Sequence, residues 1–171
     1  MAFNRKDGDN NFVTVGRRHI AFWEADGSCN KGLYGRNKRT SFSCATYDKN
    51  GKCYAGGANG RIYEYAGGRS CTRTHSAHKK FICGLKCVND NEMLSGGYDG
   101  KLKLWNTDDM TVTKEWQFDC LIRAVDMDAN GKIVVGLRDG HIKHLHRDND
   151  ECGVLMQSHS DGEVWGLAVT P

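Results

Sequence analysis

The run HKKFICGLKCVNDNEMLSGGYDGKLKLW, residues 78–105, decides the fold. An apolar stretch over 81–88 ends at the polar turn Asn89-Asp90-Asn91, and a second short stretch over 92–96 ends at Tyr98-Asp99-Gly100. Residues 101–106 then alternate: Leu102 and Leu104 on one side, Lys101 and Lys103 on the other. A period of two is the signature of a strand, and Asp-Gly between two such runs marks a hairpin, because glycine accepts the positive φ that the turn requires. A fourth strand over 111–118 completes the unit.

Working outward, the same unit recurs with a period of 40. Gly60, Gly100 and Gly140 are spaced by 40 residues, and each precedes an alternating run. Phe42, Ile82 and Ile122 fall in register, as do Tyr65, Trp105 and Leu145. Asn50-Gly51 and Asn130-Gly131 punctuate the units again, and no 3.6-residue apolar stripe interrupts them. Four strands per repeat, with a His before the first and a Trp ending the third, predict an all-β fold, a WD-repeat β-propeller of about four four-stranded antiparallel blades. The repeats are read as a partial first unit over 11–35, then 40–76, 77–118 and 119–158, with the start of a fifth over 159–171. In the first unit 11–16 is read as the second strand and 19–23 as the third, the first strand being absent. Residues 163–169 read as the opening strand of the fifth. Three arrangements follow: a partial propeller closed by further blades of a longer chain, a homodimer pairing into one ring, or a four-bladed ring closed by the terminal strand.

One repeat carries a full polar set: His78 before the first strand, Ser95 on the second, Asp99 in the following turn and Trp105 on the third. These residues predict a structural hydrogen-bond network that satisfies a buried His and Trp while tying one loop to one turn. Ser, His and Asp also make a catalytic triad elsewhere, but their spacing here is that of a blade lock. The other repeats depart from it: positions 38, 55, 59 and 65 are Lys, Ala, Asn and Tyr, and positions 118, 135, 139 and 145 are Phe, Val, Asp and Leu. Trp23-Glu24 and Trp105-Asn106 stand where a Trp-Asp pair would be.

Composition excludes several classes. Twenty-one glycines against one proline fit many tight turns and few linkers. The first residues carry no apolar signal core, and runs such as Ile133-Val134-Val135 are far too short to span a membrane, so the chain reads as cytoplasmic with no membrane partner. Eight cysteines without a C-x-x-C pair read as reduced thiols, with Cys44, Cys83 and Cys87 as small core residues. No phosphate loop, zinc-protease pair or nucleophile elbow occurs, so no catalytic residue and no cofactor is expected. Gly56-Gly57 and Gly67-Gly68 read as turn or strand-end glycines, and Trp165 as a core residue. His144 and His146 would share one strand face with His141 on the other, without a carboxylate to complete a metal site, so none is expected.

Two terminal motifs narrow the reading. Residues 12–23, FVTVGRRHIAFW, and 159–171, HSDGEVWGLAVTP, resemble signatures of the echinoderm microtubule-associated protein-like family, as does Leu33-Tyr34-Gly35 followed by a basic run. The resemblance spans essentially the whole chain and implies tandem propellers that bind tubulin and organise microtubules, usually beside a coiled coil; no heptad repeat is present here. The residues themselves point to one docking surface. Arg36, Lys38 and Arg39 lie in the loop entering the second repeat and Lys79 and Lys80 in the loop entering the third, so the 40-residue register should put them on one face. Such a cluster suits acidic tubulin tails. The rival partner is another protein bound by a general WD-repeat adaptor. A net charge of +3 and the lack of a base-stacking motif argue against nucleic acid.

Overall fold

Alternating runs joined by glycine turns fold locally into antiparallel strands, and in a computed structural model of the chain these are the only regular elements among the described residues. It describes residues 1–4, 6, 10–89, 91–128, 130–149, 151–157 and 166–168. Four four-stranded sheets follow one another in chain order, each a simple antiparallel meander. The first holds β1 (Ala2–Phe3), β2 (Phe12–Gly16), β3 (His19–Trp23) and β4 (Cys29–Lys31). The second holds β5 (Phe42–Tyr47), β6 (Cys53–Gly57), β7 (Arg61–Tyr65) and β8 (Arg73–Ser76). The third holds β9 (Ile82–Cys87), β10 (Glu92–Gly97), β11 (Lys101–Asn106) and β12 (Thr111–Gln117). The fourth holds β13 (Ile122–Met127), β14 (Lys132–Leu137), β15 (Ile142–His146) and β16 (Cys152–Met156). In each sheet the strands are called a to d.

The first sheet corrects the sequence reading, which gave it no strand a. Ala2 pairs with Val13 and Phe3 with Phe12. Two residues are too few to show an alternation, and Phe3 is largely exposed, so neither signal that marks a strand was present. The expected strand of a fifth unit falls, with Trp165, mostly outside the described residues; residues 166–168 carry no strand.

The second and third sheets bury both faces, which is why their strands carry apolar residues of both parities. Tyr63 and Tyr65 point into a cluster with Val13, Ile20 and Phe42 of the first two sheets. Ile62 and Tyr54 point the other way, into a cluster with Ile82, Met93 and Trp105 of the third. Leu94, Leu102 and Leu104 then meet Ile133, Val135 and Leu145 of the fourth. Three junctions therefore hold three cores. The a strands β5, β9 and β13 pack side by side in order, with β1 and β2 against β5, so the sheets fan about one axis. Among the described residues no comparable packing joins the fourth sheet to the first, so these sheets form an open arc; the terminal strand that would close a four-bladed ring lies mostly outside the described residues.

Two devices join neighbouring sheets by backbone groups. The Cys83 thiol donates to the carbonyl of Ile122 at 2.7 Å, and Ser43, 40 residues earlier, donates to the carbonyl of Ile82. Leu33, just past β4, forms a parallel bridge with Ser70 in the c–d loop of the second sheet. Its N–H donates to Arg69 O at 2.7 Å and its carbonyl accepts from Cys71 N at 2.9 Å. None of the eight cysteines forms a disulfide; Cys87 is buried, as are Cys53 and Cys71, whereas Cys44 and Cys83 are half-buried.

Candidate functional site

The b–c turns and d–a loops share one rim of the arc. Gly60, Gly100 and Gly140 close the b–c turns with φ of 76°, 75° and 84°, which only glycine adopts without strain. At Gly60 the reason is also steric: a Cβ would overlap the carbonyl oxygen of His78. That carbonyl belongs to the next d–a loop, whose His78 and Ala77 N–H groups both donate to Gly60 O, at 2.9 and 3.0 Å. The same stitch recurs at the third sheet, where Phe118 N donates to Gly100 O at 2.8 Å.

At the third sheet the structure brings His78, Ser95, Asp99 and Trp105 into contact. Trp105 Nε1 donates to Ser95 Oγ at 2.8 Å, and Ser95 Oγ lies 2.8 Å from His78 Nε2. His78 Nδ1 lies 2.9 Å from Asp99 Oδ1. The carboxylate assigns the proton to Nδ1, so Ser95 donates to Nε2 and the chain of bonds runs one way from Trp105 to Asp99. The Asp99 carboxylate also accepts from Lys79 N at 3.0 Å and Lys101 N at 3.2 Å, fixing loop to turn. Burial pushes the His78 pKa below its ordinary value and outweighs the opposing carboxylate. Burial also acts to raise the Asp99 pKa, but the N–H of Lys79 and the imidazole prevail and hold it below the usual range. Ser95 is fully buried and already holds the Trp105 N–H, so its hydroxyl cannot reach a substrate. The set is a lock, not a nucleophile.

The first sheet contains a second, shorter lock that the sequence reading missed. Trp23 Nε1 donates to Thr14 Oγ1 at 2.9 Å, and Thr14 Oγ1 lies 3.1 Å from His19 Nε2. In both sheets the hydroxyl stands two residues after the partner of the Trp: Thr14 after Phe12, and Ser95 after Met93. The signal was in the sequence, two residues out of the 40-residue register.

The five loop cations all lie exposed on the rim. Arg39 Nε donates to Arg18 O at 3.0 Å, and Arg18 N donates to Ser41 Oγ at 3.2 Å, so the loop carrying Arg36, Lys38 and Arg39 is held on the b–c turn of the first sheet. Lys79 and Lys80 flank the b–c turn of the second, where Gly60 packs against the carbonyls of His78 and Lys80. The b–c turns add Arg17, Arg18 and Arg61, which sequence reasoning did not include; all three are exposed. The rim changes character further on: Lys101 and Lys103 both pair with Glu115, and the fourth sheet presents Asp119 and Asp139 beside Arg138.

The histidines of the fourth sheet do not assemble a metal centre. His144 and His146 do share a face, opposite Val134 and Lys132. His146 Nε2 is 2.8 Å from Asn130 O, while His141 lies before β15 with its Nδ1 3.1 Å from Asp139. Among the described residues no group of three or more His, Cys, Asp or Glu could hold a metal ion. A 480 Å³ cleft opens at the opposite rim between the first two sheets, lined by Trp23, Asn30, Tyr47, Asn50 and Arg69 among others; Glu24 is its one carboxylate among the described residues.

Comparison with known proteins agrees with this architecture. The WD domain, G-beta repeat family matches residues 69–106. A ciliary WD repeat-containing protein of Euplotoides octocarinatus is 40% identical over 173 residues, covering 99% of this chain and 24% of that protein. Echinoderm microtubule-associated protein-like 1 of Mus musculus is 31% identical over 170 residues, covering 94% and 20%. The 77 kDa echinoderm microtubule-associated protein of Strongylocentrotus purpuratus is 28% identical over 172 residues, covering 95% and 25%. The chain thus spans a quarter or less of the length of these relatives. The crystal structure of the computationally designed Ika8 protein superposes with a TM-score of 0.77 at 22% identity, over 97% of this chain and 52% of that one, a likeness of fold alone. Sheets, repeat and relatives together place the chain among the WD-repeat β-propellers, as a homologue of the echinoderm microtubule-associated protein-like family.

Proposed function

We propose that this chain is part of a non-catalytic scaffold of a microtubule-associated protein, docking tubulin or another cytoskeletal protein through the rim that carries Arg36, Lys38, Arg39, Lys79 and Lys80. The observation that carries the reading is that rim: two adjacent d–a loops hold five exposed cations on a rigid frame, and none pairs with a carboxylate among the described residues. Cations fixed in this way attract an acidic partner without first having to be ordered. The names of the relatives, microtubule-associated and ciliary, support a cytoskeletal setting in the cytoplasm. Their greater length supports further blades supplied by a longer chain over a homodimer. A general WD-repeat adaptor with a partner unrelated to microtubules is the second reading, favoured by the repeat match itself, which carries no partner preference.

Co-sedimentation of the full chain with taxane-stabilised microtubules, with and without their acidic tails, tests the proposal. Pelleting that weakens when the tails are removed, and again on reversing Arg36, Lys38 and Arg39 to Glu, is the expected result. A folded chain that stays in the supernatant leaves the adaptor reading in its place.

A further inference from the structure

The five loop cations are only part of the charge on their rim. Arg17 and Arg18 crown the first b–c turn, and Arg61 follows the second. The hydrogen bonds from Arg39 Nε to Arg18 O and from Ala77 and His78 N–H to Gly60 O place these turns directly beside the basic loops. No carboxylate among the described residues pairs with any of the eight. The rest of the rim differs: Lys101 and Lys103 both pair with Glu115, and Asp119 and Asp139 are exposed at the fourth sheet. Positive charge is therefore concentrated over the first two sheets and the loop entering the third, and it stops there. Like charges gathered on one rim repel one another, and within the described residues only the Asp99 carboxylate, bound to the Lys79 N–H, lies against them.

We propose that this strip is a track for an extended, glutamate-rich peptide, running from Arg17 across Arg61 to Lys80 and ending where the carboxylates of the fourth sheet begin. The proposal rests on the rim being a docking surface and specifies the chemistry and length of what docks. Sheets packed face to face lie about 10 Å apart, so the strip is about 20 Å long. An extended chain covers that in about six residues. Nucleic acid fits less well. The aromatic rings near the strip are already engaged, Tyr34 stacked on Phe42 and Phe81 against Tyr98, with Arg123 over the Tyr98 ring.

The test is fluorescence anisotropy of the full chain with labelled triglutamate, hexaglutamate and nonaglutamate, with a ten-nucleotide uridine RNA in parallel. Affinity is expected to rise from three to six glutamates and level off by nine. The double variant Arg17→Glu/Arg61→Glu is expected to weaken hexaglutamate binding about tenfold. Lys31→Glu/Arg69→Glu, matched in charge but away from the strip, should change it less than twofold. Arg18 is left in place because its positive φ makes it part of the turn. Equal loss in both variants, continued gain at nine residues, or tighter binding of the RNA each overturns the track. Should the wild-type chain pellet with microtubules yet ignore hexaglutamate, the track falls and the docking reading survives. If it binds hexaglutamate but does not pellet, the track stands and tubulin falls as its partner.

Discussion

Ser95 holds two buried neighbours at once, receiving the Trp105 N–H and donating to His78. Ser95→Ala leaves an indole N–H and an imidazole nitrogen without partners in a dry junction, and should cost about 1–3 kcal/mol, read as a lowered urea midpoint with an unchanged slope. The same lock makes stability depend on pH. Because burial keeps the folded pKa of His78 below the unfolded value of 6.5, the group favours folding fully above that value. As pH falls through 6.5 the unfolded chain takes up a proton that the folded one refuses, and stability drops. The depressed carboxyl of Asp99 adds a further loss only in the region of its unfolded value, 3.8, and below. Urea midpoints at pH 7.5 and 5.5 should therefore converge in His78→Gln relative to wild type. At this scale the sequence was legible where chemistry and register coincided, as at His78, Ser95, Asp99 and Trp105. Thr14 was hidden because its Trp lies two positions off the period. Arg17 and Arg61 were hidden because a lone turn cation shows its neighbours only once the loops are laid against the turns.

Among the elements, the b–c turns are the least tolerant. Gly100 has φ 75°, and a Cβ there would lie 2.5 Å from Phe118 O. Gly100→Ala therefore carries the left-handed penalty of about 1–2 kcal/mol and displaces the loop as well, and thermal unfolding should show it. Gly67→Ala is the instructive partner: φ is again positive, at 73°, but open space surrounds the site, so only the backbone penalty applies. Strands were readable from alternation and from the Asn-Gly and Asp-Gly turns, to within a residue for β9 (Ile82–Cys87) and β12 (Thr111–Gln117). Strand β1 (Ala2–Phe3) was not, because pairing with β2, and not its own pattern, makes it a strand.

For the whole molecule, stability is divided among three junctions that communicate only through neighbours, as in other stacked repeats. Leu94→Ala opens the core between the third and fourth sheets and should cost about 2–5 kcal/mol locally. Hydrogen exchange should then speed across β13 to β16 while β5 to β8 keep their protection; uniform acceleration would mean that the arc unfolds as one unit. The repeat order was plain in the sequence, but whether four sheets close on themselves was not, since every junction looks alike along the chain. The bridge between Leu33 and Ser70 has a mechanical consequence. It ties the exit of the first sheet to the outer loop of the second, alongside the core they share. A pull on the first sheet would load those two hydrogen bonds together, as a clasp, before the apolar junction opened. Under such tension the chain would yield first at this clasp, taking up slack from the Gly67-Gly68 loop while its sheets stayed intact.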